Sequence, residues 1–297
     1  MTTPAKLWVA GARPKTLPAA VAPVLAGMAA AIAAEPPVRH PWWLMPALAA
    51  VVALSLQVGV NYANDYSDGI RGTDEDRSGP LRLVGSGLAA PAAVRRAAFA
   101  SFAVAAAAGL GILALTGHWW LLAVGAAAIA AAWFYTGGKN PYGYIGLGEV
   151  SVFVFFGLVA TAGTCYIMID QAPVAAWAGA VAVGSLASAL LVGNNLRDIP
   201  TDRLSGKRTL ATVLGDRGTR RFYLVLAVLC AVAVLTFAAV TTWWALLGLL
   251  GLSVLIPTLA TLSSGATGRA LIPVIQGTSV AELAVATGLL VGVGVGR

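Results

Sequence analysis

N-Y-A-N-D-Y-S-D-G-I-R-G-T-D-E-D-R-S-G-P-L-R, residues 61–82, and N-N-L-R-D-I-P-T-D-R-L-S-G-K-R-T-L, residues 194–210, are two polar interruptions in an otherwise oily chain. Together they hold Asp65, Asp68, Asp74, Glu75, Asp76, Asp198 and Asp202, the majority of the 12 acidic residues. Each ends an apolar run long enough to cross a bilayer, which takes about 20 residues. What surrounds these segments therefore decides the fold.

The surroundings exclude a water-soluble domain. Hydrophobic residues make up 59% of 297 and charged residues 10%, against about 25% charged in soluble proteins. A soluble core this apolar would leave large exposed patches. Nine apolar runs lie near 16–34, 42–64, 92–115, 118–135, 149–169, 174–196, 220–240, 242–262 and 271–295. Lys6, Arg13 and Lys15 precede the first of these in the manner of a leader peptide, but the runs that follow make it a first span. Gly and Ala recur within the runs and would let helices pack closely. Cys165 and Cys230 sit in apolar runs with no zinc or redox spacing and read as small buried hydrophobes.

Charge sets an orientation. With the N-terminus in the cytoplasm and spans alternating, all 19 basic residues except Arg39 and Arg297 fall on the inner side, as the positive-inside rule requires. The C-terminus is then outside. Trp42, Trp43, Trp119, Trp120, Trp243 and Trp244 fall at outer ends, as an aromatic belt. The expected architecture is all-α: one transmembrane domain over 1–297, with nine helices around a central cavity open to the cytoplasmic side of the cell membrane. The partners it implies are lipid and a membrane-borne substrate, with no nucleic acid.

Both polar segments emerge on the inner side. Asn61, Asn64, Asp65 and Asp68 are spaced i, i+3, i+4, i+7 and form one helix face. Asn194, Asp198 and Asp202 repeat at i, i+4, i+8. Pro200 cannot keep its helical hydrogen bond, so the helix is expected to end near Asp198, with Asp202 in a turn. Carboxylates gathered in this way repel one another unless a cation sits among them. Mg²⁺ takes oxygen ligands and is commonly shared between carboxylates and phosphates. Arg71, Arg77, Arg82, Lys207 and Arg208 stand beside the acids and suit phosphate oxygens. Acids for Mg²⁺, bases for phosphate and an oily bundle together point to a lipid diphosphate. Asp74, Glu75 and Asp76 are either ligands or solvated loop charges. Glu282, inside the last run, should face the interior or a wet cavity, with a partner such as Gln57 or Gln276 or with a catalytic role. Glu149 opens the fifth run, where helix N-terminal stabilisation accounts for it.

The two segments resemble the UbiA-type superfamily of intramembrane prenyltransferases, with its N-D-x-x-D motif after the second helix and D-x-x-x-D after the sixth. Here these are Asn64-Asp65-Tyr66-Ser67-Asp68 and Asp198-Ile199-Pro200-Thr201-Asp202. G-T-D-E-D-R-S-G-P-L-R-L-V-G-S-G and Y-T-G-G-K-N-P-Y-G-Y-I-G-L-G-E are similar to the branch that acts on 1,4-dihydroxy-2-naphthoate. One departure is Gly72, where many relatives carry a third Asp. Asp74 or Asp76 would then be the substitute ligand.

The resemblance implies a Mg²⁺-dependent transfer of a polyprenyl group from polyprenyl diphosphate to 1,4-dihydroxy-2-naphthoate. It implies that Asp65, Asp68, Asp198 and Asp202, with Asn64, hold the metal. Asn61, Asn64 and Asn194 would orient the diphosphate. Arg77, Arg82, Lys139, Lys207 and Arg208 would neutralise its oxygens. Tyr135, Tyr142 and Tyr144 flank Lys139 and are either acceptor-site walls or interfacial anchors. Within the superfamily, 4-hydroxybenzoate, haem and chlorophyll precursors are alternative acceptors. The compact acid run of CDP-alcohol phosphotransferases does not fit two pairs about 130 residues apart. A transporter with a midplane site is the non-enzymatic alternative, and only Glu282 fits its pattern.

Overall fold

The computed structural model describes residues 4–34, 41–72 and 81–297. Its helices are α1 Pro4–Gly11, α2 Pro18–Ala33, α3 Leu44–Ile70, α4 Pro91–Thr116, α5 Leu121–Phe134, α6 Gly148–Val152, α7 Gly163–Ile169, α8 Val174–Leu204, α9 Leu210–Val240, α10 Leu247–Leu252, α11 Leu255–Ser263 and α12 Ile272–Val295. A π-helix over Phe153–Ala162 joins α6 to α7. The nine expected runs all have helical counterparts, though not all as single spans. Among the described residues, six helices are long and apolar enough to cross a membrane unbroken. These make the chain an integral membrane protein. Two further runs are bent pairs, 5–16 with 18–33 at 48° and 243–252 with 255–263 at 42°. The last is α5, only 14 residues long.

The breaks have local causes. Pro257 lacks an N–H and its ring crowds the carbonyl of Ser253, and the chain turns at Ser253 and Val254. Pro14 opens a short 3-10 turn after Arg13, which takes a left-handed conformation (φ 53°), and Pro18 starts α2 anew at a position that needs no helical N–H. α9 begins at Leu210, well before the expected 220. Thr209 caps it by accepting from the Thr212 amide at 3.4 Å. A kink at Gly215 (φ 70°) interrupts it, and Arg220 binds Asp216 at 2.7 Å and the carbonyls of Leu262 and Ala266.

The end of α8 corrects a sequence-based expectation. The helix does not stop near Asp198 but runs through Pro200 to Leu204, so Asp202 lies on its last turn. Proline removes its own donor and its ring crowds the carbonyl four residues before it. Near the end of a helix that loss is small, and Thr201 and Ser205 hydroxyls bind the carbonyls of Asp198 and Asp202.

α8 is the most buried of the spans and packs on α9, α12, α2 and the π segment. The core around it is built from small residues, among them Ala22, Ala26 and Ala30 of α2 and Ala176 and Ala182 of α8. Lipid gives helices no hydrophobic reason to associate, so close van der Waals approach takes its place. Gly157 and Gly184 are one such close approach, and a Cβ on Gly157 would lie 2.7 Å from the Gly184 Cα.

Inter-loop bonds sort the connections into two ends. Arg71, after α3, binds the carbonyls of Thr136 and Gly138, after α5. The amide of Arg208, after α8, donates to the Tyr144 carbonyl at 2.9 Å. At the opposite end His118 meets Asp170 at 2.6 Å and Trp120 packs edge-on against Tyr166. The exposed pairs Trp42/Trp43, Trp119/Trp120 and Trp243/Trp244 stand at the helix ends remote from the acids.

Candidate functional site

A cavity of about 1010 Å³ runs into the bundle from the end where the polar segments meet. Its deep part is apolar, walled by residues such as Leu56, Ile129, Phe155 and Phe156. Its head carries Asp68, Asp202, Arg82, Arg197 and Lys207. The head exists because α3 and α8 both outlast their apolar runs and carry their acids past the oily zone.

Asp68 is the junction of the two segments. It is 2% exposed. Arg82 reaches its Oδ2 at 3.3 Å, and Lys207, from the second segment, comes within 3.6 Å of its Oδ1. The Tyr144 hydroxyl donates to the same Oδ1. Burial, followed by the charge of Asp68, pushes the Tyr144 phenol above its ordinary pKa, with Arg71 partly opposing. Tyr144 therefore remains a donor throughout the neutral range. Lys207 also sits 4.3 Å from the centre of the Tyr144 ring, a favourable place for an ammonium.

The other three aspartates have different partners. Asp65 accepts the Leu83 amide at 2.7 Å and the Val84 amide at 3.0 Å, one on each oxygen. Asp198 is bound in two-pronged fashion by Arg197 at 2.7 and 2.8 Å. Asp202 is buried, with the Thr209 hydroxyl 3.5 Å from its Oδ2. Asp68 and Asp202 line the cavity, while Asp65 and Asp198 stand behind its wall. Asp65 thus ties the segment carrying Arg82 to α3. Asp65→Ala removes two charge-assisted hydrogen bonds and is expected to destabilise that segment by about 3 kcal/mol. Hydrogen exchange at Leu83 and Val84 reads this directly, and unchanged protection there would refute it.

The asparagines divide similarly. Asn61 donates to the Ala12 carbonyl at 2.9 Å and the Thr16 hydroxyl at 3.1 Å, with Gln57 reaching Thr16 at 3.2 Å. These bonds bring Arg13 and Lys15 to the cavity wall. Asn64 accepts from the Thr136 hydroxyl at 2.8 Å, and Asn194 bonds its own helix at Leu190. All three line the cavity. So do Tyr135, Tyr142 and Tyr144. Tyr142 donates to the Ala131 carbonyl and pairs with Ser151 at 2.9 Å, and burial raises its phenol pKa.

Some expected residues are not brought together. Lys139 and Arg208 are exposed and lie off the cavity wall. Arg77, Asp74 and Asp76 lie outside the described residues. Glu282 is wholly buried, and neither of its oxygens has a hydrogen-bond partner among the described residues. Gln57 is turned to Thr16 instead. Arg71, expected beside the phosphate, lies off the cavity wall, bound to the carbonyls of Thr136 and Gly138 and 5.5 Å from the centre of the Tyr144 ring. Two residues on the cavity wall were missed. Arg197 is adjacent to Asp198 in the chain. Thr136 sits one residue after Tyr135. Their closeness in the chain to motif residues was the available signal.

The donors on the cavity wall are carboxylate and amide oxygens, a set suited to a hard cation such as Mg²⁺. Among the described residues, no three acidic, histidine or cysteine side chains gather into a ready-made metal cluster.

Comparison with known proteins agrees with this geometry. A 1,4-dihydroxy-2-naphthoate octaprenyltransferase of Mycobacterium tuberculosis (strain ATCC 25618 / H37Rv) is 52% identical over 277 residues, covering 93% of this chain and 92% of that protein. The apo structure of a UbiA homolog from Aeropyrum pernix K1 superposes with a TM-score of 0.68 at 17% identity, over 93% of this chain and 97% of that one. A UbiA homolog from Archaeoglobus fulgidus bound to GPP and Mg²⁺ gives 0.61 at 14% identity, over 96% and 99%. The UbiA prenyltransferase family model matches residues 20–291, so that sequence, fold and the meeting of two acidic segments at one end of an oily cavity all lead to one statement: this chain belongs to the UbiA prenyltransferase family.

Proposed function

We propose that this protein transfers a polyprenyl group from polyprenyl diphosphate to 1,4-dihydroxy-2-naphthoate, releasing diphosphate and CO₂ and giving demethylmenaquinol for menaquinone synthesis. The observation that carries this is the meeting of Asp68 with Arg82 and Lys207 at the head of a cavity whose remainder is apolar. An anionic head and a long hydrocarbon tail fit those two parts.

Arg82, Arg197 and Lys207 would hold the diphosphate, and the apolar wall would hold the tail. Mg²⁺ would be held by oxygens of Asp68, Asp202 and Asn64, with Asp65 and Asp198 in support, and would supply charge for the departing diphosphate. As the allylic C–O bond breaks, its electron pair leaves with the diphosphate. Fixed cations in a dry site stabilise that change far better than water does. Tyr135 and Tyr142 would shield the allylic carbon with their ring faces. Ring electrons of the naphthoate then form the new C–C bond at the carbon bearing the carboxylate. CO₂ departs, and the electron pair of its bond returns to the ring.

The head lies at the cytoplasmic face of the cell membrane in this reading, with the N-terminus inside and the C-terminus outside. Residues 1–297 form one transmembrane domain. The deciding assay uses purified protein in lipid nanodiscs with radiolabelled octaprenyl diphosphate. Product should form with 1,4-dihydroxy-2-naphthoate, vanish with EDTA and return with Mg²⁺. Product with 4-hydroxybenzoate instead would reassign the acceptor, and transfer that survives EDTA would remove the metal from the scheme.

A further inference from the structure

The start of α6 meets α8 in a corner where two side chains, Glu149 and Asn195, have no part in the scheme above. Glu149 is 4% exposed, and its Oε1 accepts from Nδ2 of Asn195 at 2.8 Å. The Ser188 hydroxyl binds the Glu149 carbonyl at 3.2 Å and fixes the two helices together. Asn195 lies on the cavity wall and Glu149 behind it. A carboxylate only accepts hydrogen bonds, so it forces the Asn195 amide to turn its nitrogen inward. The Oδ1 atom is then left as the group Asn195 can offer to a molecule in the cavity. Tyr135 closes the same corner, since a Cβ on Gly148 would stand 3.2 Å from its hydroxyl and 3.2 Å from Leu191. Ser151 and Tyr142 lie alongside.

We propose that this corner seats the aromatic acceptor, with Asn195 Oδ1 accepting a hydrogen bond from a ring hydroxyl and Glu149 acting as the positioning residue that aims it. The inference rests on the prenyl-transfer reading and deepens it. A diphosphate has no hydrogen to offer the Asn195 Oδ1, which can only accept, whereas a ring hydroxyl donates to it directly and the carboxylate of the naphthoate points elsewhere. Flat apolar and aromatic surfaces beside it suit a fused ring. Drawing the hydroxyl proton toward Asn195 pushes electron density into the ring, which favours attack on the allylic carbon.

The test separates the two substrates. Asn195→Ala should raise the KM for 1,4-dihydroxy-2-naphthoate about tenfold and leave that for octaprenyl diphosphate within about twofold. Glu149→Leu should do the same. Glu149→Gln, whose amide oxygen still accepts from Asn195, should recover most of that loss. Competitive inhibition by naphthoates lacking one ring hydroxyl gives a second readout. The hydroxyl whose removal weakens inhibition of the wild type should cost nothing further in Asn195→Ala. A KM for diphosphate that rises in step, or a hydroxyl penalty that persists in Asn195→Ala, would overturn the proposal with the prenyl-transfer reading intact. A wild type that turns over no naphthoate would remove both.

Discussion

Asp68→Asn is expected to reduce turnover by about 10³-fold while the protein still inserts and purifies as a folded species. Asparagine matches aspartate in shape and can still accept from Tyr144. What it loses is the negative charge between Arg82 and Lys207, which come from segments more than 100 residues apart in the chain. Without it, two buried cations face each other across the cavity head, and the proposed metal loses a charged oxygen. The change therefore strikes the diphosphate site and leaves the apolar wall and helix packing alone. Radiolabelled transfer, read beside thermal unfolding in detergent, checks this. Activity within tenfold of wild type would show that Asp68 is only an inter-segment tie.

The second large effect concerns packing. Gly157→Val places a Cβ 2.7 Å from the Gly184 Cα and 2.9 Å from the Ala180 carbonyl. Both neighbours are backbone and no flexible side chain can yield, so the π segment must move away from α8. Overpacking of this kind costs about 3 kcal/mol, and here it also shifts Phe155 and Phe156 on the cavity wall. A marked fall in thermal stability is expected, together with weaker binding of long prenyl chains. Gly111→Val is the control, because a Cβ there meets nothing within 4 Å. Equal stability of the two variants would contradict the packing argument.

Much of this could be read from periodicity. The i, i+3, i+4, i+7 spacing correctly placed Asn61, Asn64, Asp65 and Asp68 on one helix face, and the apolar runs located the helices. Spacing does not reveal what already occupies a side chain. Asp65 is taken up by two backbone amides and Asn61 by a carbonyl 49 residues away, and both partners are set by tertiary folding. Lys139 and Arg208 illustrate the converse, since nearness in the chain to the motifs did not fix the direction in which they point. Pro200 misled because a breaker in mid-helix is tolerable near a helix end. The pairing of Glu149 with Asn195 joins residues 46 apart and has no sequence signature.

The brevity of α5 has a consequence for the surrounding lipid. Its 14 residues rise about 21 Å, against roughly 30 Å of hydrocarbon in a typical bilayer. A short hydrophobic segment is met by local thinning of the membrane. The leaflets should therefore pucker beside this helix, on the flank where Leu122 and Gly125 are both exposed and part of the cavity wall. There the headgroup layer dips toward the chamber, which shortens the greasy distance that a charged, long-tailed molecule must cross to slip in sideways.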